Sequence, residues 1–290
     1  MFIKRIGLVW FQGENNINKS EFVQNIHNWR ILNPEWEVVI FDDNMLRQIC
    51  KNYSEDCLKV YDSFDIMHLK IDFGRYVALW ETCGMYVDMD CYAFRSLDKS
   101  QLFNDFINKT NTYDHIIGLS EGDFNFFEKI VTNLQINNAI MISSVKNPVI
   151  KDLIDNIISI NRNYKSRNNI VDSSYITVNS ITGPKMINQF FKEIKLSDYK
   201  QRIYIHKFPF YVFEPGQPFR NFDIKDDTIA IHKYELSWLS PKMKRLTKSY
   251  YDIIKPYILI FIIFVLIIWL VYKYYYTNCK KRCDSICKLK

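Results

Sequence analysis

The first 42 residues show a change of hydrophobic period that is typical of a strand, a helix and a second strand. Two short runs of β-branched and aromatic residues, RIGLVWF (5–11) and WEVVIFD (36–42), flank KSEFVQNIHNWRILN (19–33), which has helical spacing. Such a βαβ unit predicts a parallel sheet that is covered by helices. The chain is therefore expected to have an α/β fold.

A wide apolar helix face and a short strand follow. Residues 62–82 are predicted to form one helix with a broad buried face, on the apolar positions Leu69, Phe73, Tyr76, Val77 and Trp80. The next predicted strand is MYVDMD (85–90). Later segments predict two helices, over 147–160 and from about residue 184, and two strands, over 202–208 and 228–234.

The C-terminal part differs in character from the rest of the chain. YILIFIIFVLIIWLVYKYYY (257–276) is apolar over enough residues to cross a hydrocarbon core of about 30 Å as a helix. Residues 240–256 before it predict a basic amphipathic juxtamembrane helix at the lipid surface, although a merely solvated basic flank remains an alternative. We therefore expect a globular domain over 1–239, these two helices, and a short basic tail over 277–290 that contains cysteines.

The position of the apolar segment predicts a membrane orientation. The N-terminal residues have too short an apolar run for a signal peptide, and 18 residues follow Tyr272. Such a segment would insert after synthesis ends, as in tail-anchored proteins. The sequence therefore predicts a single-pass membrane protein with a C-terminal anchor and a globular domain that faces the cytosol.

Charge is segregated along the chain. The formal net charge is −3 over residues 1–240 and +9 over residues 241–290. The basic surplus lies beside the predicted membrane span, where it suits anionic lipid. Nucleic acid is therefore not expected as a partner.

The seven cysteines fall into two groups. Those of the globular part, at positions 50, 57, 83 and 91, are scattered and suit reduced core thiols better than a disulfide framework. Cys279, Cys283 and Cys287 recur every four residues in the basic tail, where acylation is plausible beside a membrane.

Four charged residues interrupt the most apolar part of the sequence. In LKIDFGRYVALWETCGMYVDMDCYAFRSLD (69–98), Asp72 and Arg75 are three apart on a predicted helix and project together. Asp88 and Asp90 are two apart on a predicted strand, so both carboxylates would leave one face about 7 Å apart. Taken alone, each pair also suits a surface salt bridge or a turn.

Together the four charges indicate a ligand site. They would converge at the carboxyl end of a strand, where open α/β sheets bind ligands. Two carboxylates so close resist ionising together unless a cation lies beside them. Oxygen ligands favour Mg²⁺ or Mn²⁺, so the sequence predicts a divalent metal site.

This block resembles the DXD-containing glycosyltransferases of glycosyltransferase family 32 and the related glucosylating toxins. Their pattern D-x-x-R-Y-x-x-L, then G-G-x-Y-x-D-x-D, is similar to the segment from Asp72 to Asp98. Weaker similarities flank it in the family's order over about 230 residues: LVWF, NPEWEVVIFDD, NAIMISSVKNPVIKDLI, TGP (182–184) and AIHKYELSW (230–238). Two positions depart from the pattern, because Cys83 replaces the first glycine of a pair and Gly7 stands where a histidine is common; Gly84 keeps the turn.

The resemblance implies a GT-A type, Rossmann-like nucleotide-sugar-binding fold over residues 1–239. It implies transfer of a sugar from a nucleotide diphosphate donor, with retention at the anomeric carbon and with Mn²⁺ or Mg²⁺ as cofactor. The acceptor would be a glycan, a lipid or a protein, and the predicted anchor favours a lipid-linked or membrane-protein acceptor. The alternative is a catalytically inactive, membrane-tethered module that binds nucleotide sugars.

The resemblance also implies roles for the charged residues. By position in the pattern, Asp90 would bind the metal directly. Asp88 would contact the donor ribose or sugar and reach the metal, and Asp72 and Arg75 would hold hydroxyl groups of the donor sugar. These four residues are the predicted catalytic group.

Three further residues have implied roles in donor binding. Trp10 would stack on the base, although a tryptophan at this position also suits the core. His232 would complete the metal or diphosphate site, and Trp238 would donate its indole N–H to a phosphate oxygen.

Overall fold

The structure is a computed structural model, and it describes residues 1–122, 135–167, 175–214, 224–233, 245 and 261–276. Two compact units divide the chain, Met1–Glu235 and Leu236–Lys290. The predicted site residues lie in the first unit, except Trp238, which falls outside the described residues.

A mixed six-stranded sheet, in the order β2-β1-β3-β6-β5-β7, is the framework of the first unit. Its strands are β1 (Arg5–Val9), β2 (Glu37–Phe41), β3 (Met85–Val87), β5 (His115–Glu121), β6 (Ile136–Ser143) and β7 (Ile203–Phe208). The described helices are α1 (Ser20–Leu32), α2 (Asp43–Tyr53), α3 (Glu55–Asp62), α4 (Met67–Glu81), α5 (Gln101–Ile107), α6 (Pro148–Arg167), α7 (Tyr175–Ile181), α8 (Pro184–Glu193) and α9 (Phe210–Phe213).

Strand direction follows the predicted parallel arrangement except at β6. β1 pairs in parallel with β2, as the βαβ pattern indicates, and also with β3. β6, however, is antiparallel to both β3 and β5. The prediction of a parallel sheet is therefore wrong for the two pairs that β6 forms, whereas β5 and β7 again pair in parallel. The periodicity of the first two strands carries no information about the direction of a strand about 100 residues later.

A second, two-stranded sheet lies next to the D-x-D sequence. It pairs β4 (Cys91–Ala93) with β8 (Ala230–His232) in antiparallel register, with Cys91 opposite His232. The side chain of Asn25 in α1 donates to the carbonyl of Cys91, at 3.0 Å. This pairing brings Cys91 and His232, which are far apart in the sequence, to one place.

The core lies on both faces of the large sheet. α4 is the most buried helix of one face, and its apolar positions are fully enclosed at Leu69, Phe73, Tyr76 and Val77. On the other face, Trp29 of α1 packs with strand and loop residues in a separate cluster. The predicted helix over 62–82 begins later than expected, because α3 ends at Asp62 and α4 starts at Met67.

Gly84 is required for a reason other than a turn. Its φ is not positive; a Cβ atom added there would lie 1.9 Å from the carbonyl oxygen of Ile3. Its N–H donates to the carbonyl of Arg5, at 3.1 Å, and its own carbonyl accepts from Ser143. Close approach of two backbone segments therefore selects glycine at the start of β3.

The C-terminal part differs from the prediction. Among the described residues, no helix combines the length and apolar character that crossing a membrane requires. The predicted transmembrane helix over 257–276 is therefore wrong, and so is the single-pass membrane localisation.

Two other C-terminal predictions concern residues that the structure does not describe. The predicted helix over 240–256, apart from residue 245, and the tail over 277–290 lie outside the described residues. The expectation of an acceptor held near a membrane rested on the predicted span, and it has no support in the structure.

Replacing Gly84 by alanine should destabilise the domain strongly. The added methyl group meets backbone rather than a side chain that could rotate away, so we expect the free energy of unfolding to fall by about 3 kcal/mol or more. Urea unfolding followed by tryptophan fluorescence measures the change. Lys51→Ala on the exposed face of α2 is the control, and equal midpoints for the two variants would show that Gly84 has room for a side chain.

Candidate active site

The D-x-D sequence forms a turn rather than the predicted extended strand. β3 ends at Val87, and the N–H of Cys91 then donates to the carbonyl of Asp88 at 2.9 Å, which closes a four-residue turn. The N–H of Asp88 still pairs with the carbonyl of Ala139, at 2.8 Å. Because the chain turns between them, Asp88 and Asp90 meet different partners instead of sharing one strand face.

Asp88 belongs to a buried cluster around Arg75. One guanidinium nitrogen, Nη2, lies 2.6 Å from Asp72 Oδ1 and 3.2 Å from Asp88 Oδ1. The other, Nη1, donates to the carbonyl of Asn138 at 2.7 Å and lies 3.4 Å from Asp88 Oδ2. Tyr86 donates its hydroxyl proton to Asp88 at 2.7 Å, and its ring centre is 4.9 Å from the guanidinium carbon. The sequence prediction that Asp72, Arg75 and Asp88 converge is therefore met by the geometry.

A second layer of hydrogen bonds fixes Asp72. Thr182, between α7 and α8, donates to Asp72 Oδ2 at 3.1 Å. The carbonyl of Thr182 accepts from the hydroxyl of Tyr76 at 2.6 Å, and that hydroxyl accepts from Asn138 at 3.0 Å. Sequence reasoning noted TGP only as part of a resemblance, and it missed the buried polar groups of Tyr76 and Asn138.

The ionisation of this cluster reflects burial and charge together. Burial raises the pKa of Asp88 to about 6, with Arg75 acting in the opposite direction and the charge of Asp90 adding to the rise. Burial alone would lower the pKa of Arg75, but Asp88, Tyr86 and Asp72 hold it well above its usual value. Two ionised aspartates are therefore costly in this turn without more positive charge.

Asp90 belongs to a different cluster, centred on His232. Nε2 of His232 lies 3.4 Å from Asp90 Oδ1, and Nδ1 lies 3.5 Å from Glu214 Oε2. Glu214 is fully buried and accepts a hydrogen bond from Asn137 at 2.5 Å. Burial would lower the pKa of His232, but Asp90 and Glu214 raise it to about 10. The ring therefore carries a positive charge between two carboxylates. A metal cation at this place would likewise reduce the repulsion between Asp90 and Glu214.

The second cluster also contains a potential metal ligand that the sequence prediction omits. Ligand atoms of Asp90, Cys91 and His232 all lie within 4.8 Å of one another. Asp88, which was predicted as a ligand with Asp90 and His232, is not part of this group, and its role at the metal stays a prediction. Mn²⁺ and Mg²⁺ prefer carboxylate oxygen ligands, so Asp90 fits the implied cofactor, with the imidazole of His232 beside it.

Trp10 lies at the same edge of the sheet. β1 and β3 pair in parallel at Gly7 and Tyr86, so Trp10 and Asp88 follow neighbouring strands at their carboxyl ends. The indole N–H of Trp10 donates to the carbonyl of Asn16 at 3.4 Å. The ring is partly buried and packs edge-on against Phe22, with centres 5.7 Å apart. This position suits a ring that stacks on a nucleotide base at the rim, and it also suits a residue that packs in the core.

Glu214 and Cys91 are the residues that the sequence analysis missed in the second cluster. Glu214 is 18 positions from His232 and 77 from Asn137, so no local pattern links them. The only available signal for Cys91 was its position directly after the second aspartate of D-x-D.

Known proteins share the sequence pattern that contains these charged residues. The family described as glycosyltransferase sugar-binding region containing DXD motif matches residues 19–114, which include Asp72, Arg75, Asp88 and Asp90. An uncharacterized glycosyltransferase of Acanthamoeba polyphaga mimivirus is 31% identical over 90 residues, which cover 31% of this chain and 36% of the relative. The chain thus spans about a third of that relative.

Two solved structures show a weak similarity to this chain. The PaToxG glycosyltransferase is 16% identical with a TM-score of 0.44, over 67% of this chain and 70% of its own. The UDP-bound glycosyltransferase domain of the YGT toxin is 10% identical with a TM-score of 0.39, over 70% and 79%. Likenesses this weak do not define an activity. The family match, however, confirms over residues 19–114 the resemblance to DXD-containing glycosyltransferases that the residue pattern indicated.

Proposed function

We propose that the protein transfers a sugar from a nucleotide diphosphate sugar to a hydroxyl group of a glycan, lipid or protein, with retention and with a divalent metal ion. The observation that carries this proposal is the division of the D-x-D turn between two polar clusters. Asp88 is paired with Arg75, and Asp90 with His232. One cluster offers hydrogen-bonding groups for a sugar, and the other offers metal ligands.

Asp90 and His232 would hold Mn²⁺ or Mg²⁺. The acidic neighbours that raise the pKa of His232 also favour a metal cation in place of the ring's proton. When bound, the ion acts as a Lewis acid for the diphosphate oxygens, on which negative charge develops as the anomeric bond breaks. Asp88, two residues earlier in the same turn, would contact the ribose or the sugar and would also reach the metal.

Asp72 and Arg75 would orient the donor sugar. Each Asp72 oxygen already has a protein partner, Arg75 for one and Thr182 for the other. Such a held carboxylate can accept from a sugar hydroxyl without reorganising, which is the geometric requirement for positioning. Arg75 contributes positive charge close to the reacting centre.

Retention would follow a front-face route. A double displacement needs a carboxylate nucleophile placed against the anomeric carbon. The four described carboxylates of the two clusters, Asp72, Asp88, Asp90 and Glu214, each contact Arg75 or His232. We therefore infer that the acceptor hydroxyl enters beside the departing phosphate. Trp238 remains the predicted donor to that phosphate, outside the described residues.

The proposed metal role predicts the effect of Asp90→Asn. The exchange removes a charged ligand from a polar turn and no core volume, so folding should persist while kcat for nucleoside diphosphate release falls at least about 100-fold. A panel of nucleotide sugars with and without Mn²⁺, and after chelation, measures release. Asp105→Asn, on the exposed side of α5, removes the same charge away from the site and should behave as wild type.

The panel also separates the transferase from an inactive binding module. Metal-dependent release that is lost in Asp90→Asn supports the transferase. Donor binding without turnover in the wild type would identify a binding module, and near wild-type turnover in Asp90→Asn would show that the metal assignment is wrong.

The proposed stacking role predicts the effect of Trp10→Ala. Stacking on the base is made equally in the ground state and the transition state, so the donor KM should rise about tenfold or more with little change in kcat. Trp36→Ala is the matched control, since Trp36 is also partly buried but lies before β2, at the amino end of the strands. A loss of stability in both variants with unchanged KM would assign Trp10 to the core.

A further inference from the structure

Cys91 places a thiol inside the second cluster, where Mn²⁺ and Mg²⁺ chemistry does not need one. It is fully buried and pairs with His232 across β4 and β8, so the two side chains lie on one face of this small sheet. Its Sγ lies within 4.8 Å of the ligand atoms of Asp90 and His232. The backbone pairing fixes this proximity.

The three ligand types select a softer ion than those expected for the reaction. Mg²⁺ and Mn²⁺ prefer oxygen ligands, whereas a thiolate together with an imidazole and a carboxylate is a typical set for Zn²⁺. A Zn²⁺ ion also binds a given nitrogen, oxygen and sulfur set more tightly than Mn²⁺ does. Three protein ligands leave a fourth tetrahedral position open.

Glu214 supplies the support that such a site needs. Its carboxylate lies 3.5 Å from His232 Nδ1, while His232 Nε2 faces Asp90. Acceptance of the Nδ1 hydrogen fixes the ring orientation, which is the usual carboxylate–histidine–zinc arrangement. Asn137 in turn holds Glu214 at 2.5 Å.

We propose that Asp90, Cys91 and His232 form a three-ligand Zn²⁺ site that overlaps the proposed Mn²⁺ or Mg²⁺ site and binds Zn²⁺ more tightly. As the zinc–sulfur bond forms, the thiol proton of Cys91 leaves to the buffer, and Nε2 of His232 binds without a proton. Because Asp90 and His232 serve both ions, Zn²⁺ and the activating ion exclude each other. The inhibitory consequence rests on the proposed function; the zinc site does not.

The geometry requires only small side-chain movements. Zinc bonds of about 2.0–2.3 Å place tetrahedral ligand atoms roughly 3.5 Å apart. Asp90 lies in a turn and is the residue that can rotate, while Cys91 and His232 keep their strand positions.

Cobalt substitution tests the thiol ligand without enzyme activity. Co²⁺ bound by a thiolate has a near-ultraviolet charge-transfer absorption. In the full chain, Cys279, Cys283 and Cys287 lie outside the described residues and are replaced by serine in every sample, so that their thiols cannot contribute. We expect the absorption in this background, its loss in Cys91→Ser, and its retention in the control Cys83→Ser, whose buried thiol bonds to the carbonyl of Ala78 away from the site.

Competition with a chromogenic chelator then gives affinities for Zn²⁺ and Mn²⁺. Loss of a supporting partner alone costs about 10–100-fold in metal affinity, so loss of a ligand should lower the ratio of Zn²⁺ to Mn²⁺ affinity by about 100-fold in Cys91→Ser. An unchanged ratio, or no charge-transfer absorption before Cys91 is replaced, overturns the proposal. If Cys91→Ser does not fold, a Co²⁺ affinity about 10–100-fold lower in Glu214→Gln, read from the thiolate absorption, supports the site, and an unchanged affinity overturns it.

Failure of this proposal is distinct from failure of the proposed function. Metal-dependent nucleoside diphosphate release without a thiolate absorption leaves the transferase intact and removes the zinc site. A thiolate absorption without turnover for any donor leaves the zinc site intact and removes the transferase.

Discussion

A guanidinium group buried between two carboxylates is the interaction on which this site depends. Arg75 is 5% exposed, so its charge is stable only because Asp72, Asp88 and the carbonyl of Asn138 surround it. A buried ion pair of this kind need not add stability, but removal of one partner leaves an uncompensated charge. The arrangement therefore fixes the relative positions of α4, the end of β3, and β6. It does this more than it adds to the free energy of unfolding.

The same interaction explains how two aspartates two residues apart have different partners. With Asp88 held by Arg75 and Tyr86, the turn presents Asp90 to His232 on the other side. The small β4–β8 sheet carries His232 to this place from the far end of the domain. The two polar clusters thus diverge from one four-residue turn.

Sequence reasoning predicted the parts of this arrangement that are local. Helical spacing placed Asp72 beside Arg75, and the βαβ pattern predicted the parallel pair of β1 and β2. The turn at Asp88 was not predicted, because an alternating D-x-D suits a strand as well as a turn. Thr182 lies 110 residues from Asp72, and Asn137 lies 77 from Glu214, so their contacts have no local signal.

The remaining differences also have physical causes. Gly84 was expected to serve a turn, but a carbonyl from the N-terminal segment, which the pattern of residues 82–90 cannot show, excludes a side chain there. The apolar composition of residues 257–276 predicted a membrane helix, whereas no helix among the described residues is long and apolar enough to cross a membrane.

The position of a bound ion is the sharpest test of the proposed division of the turn between Arg75 and His232. Crystals of the protein with Mn²⁺ and a nucleoside diphosphate would locate manganese by its anomalous scattering. The account predicts a peak at bonding distance from the Asp90 carboxylate and His232 Nε2, with Arg75 still paired to Asp72 and Asp88. A peak bound between Asp72 and Asp88 with Arg75 displaced, or no peak beside the turn, would contradict it.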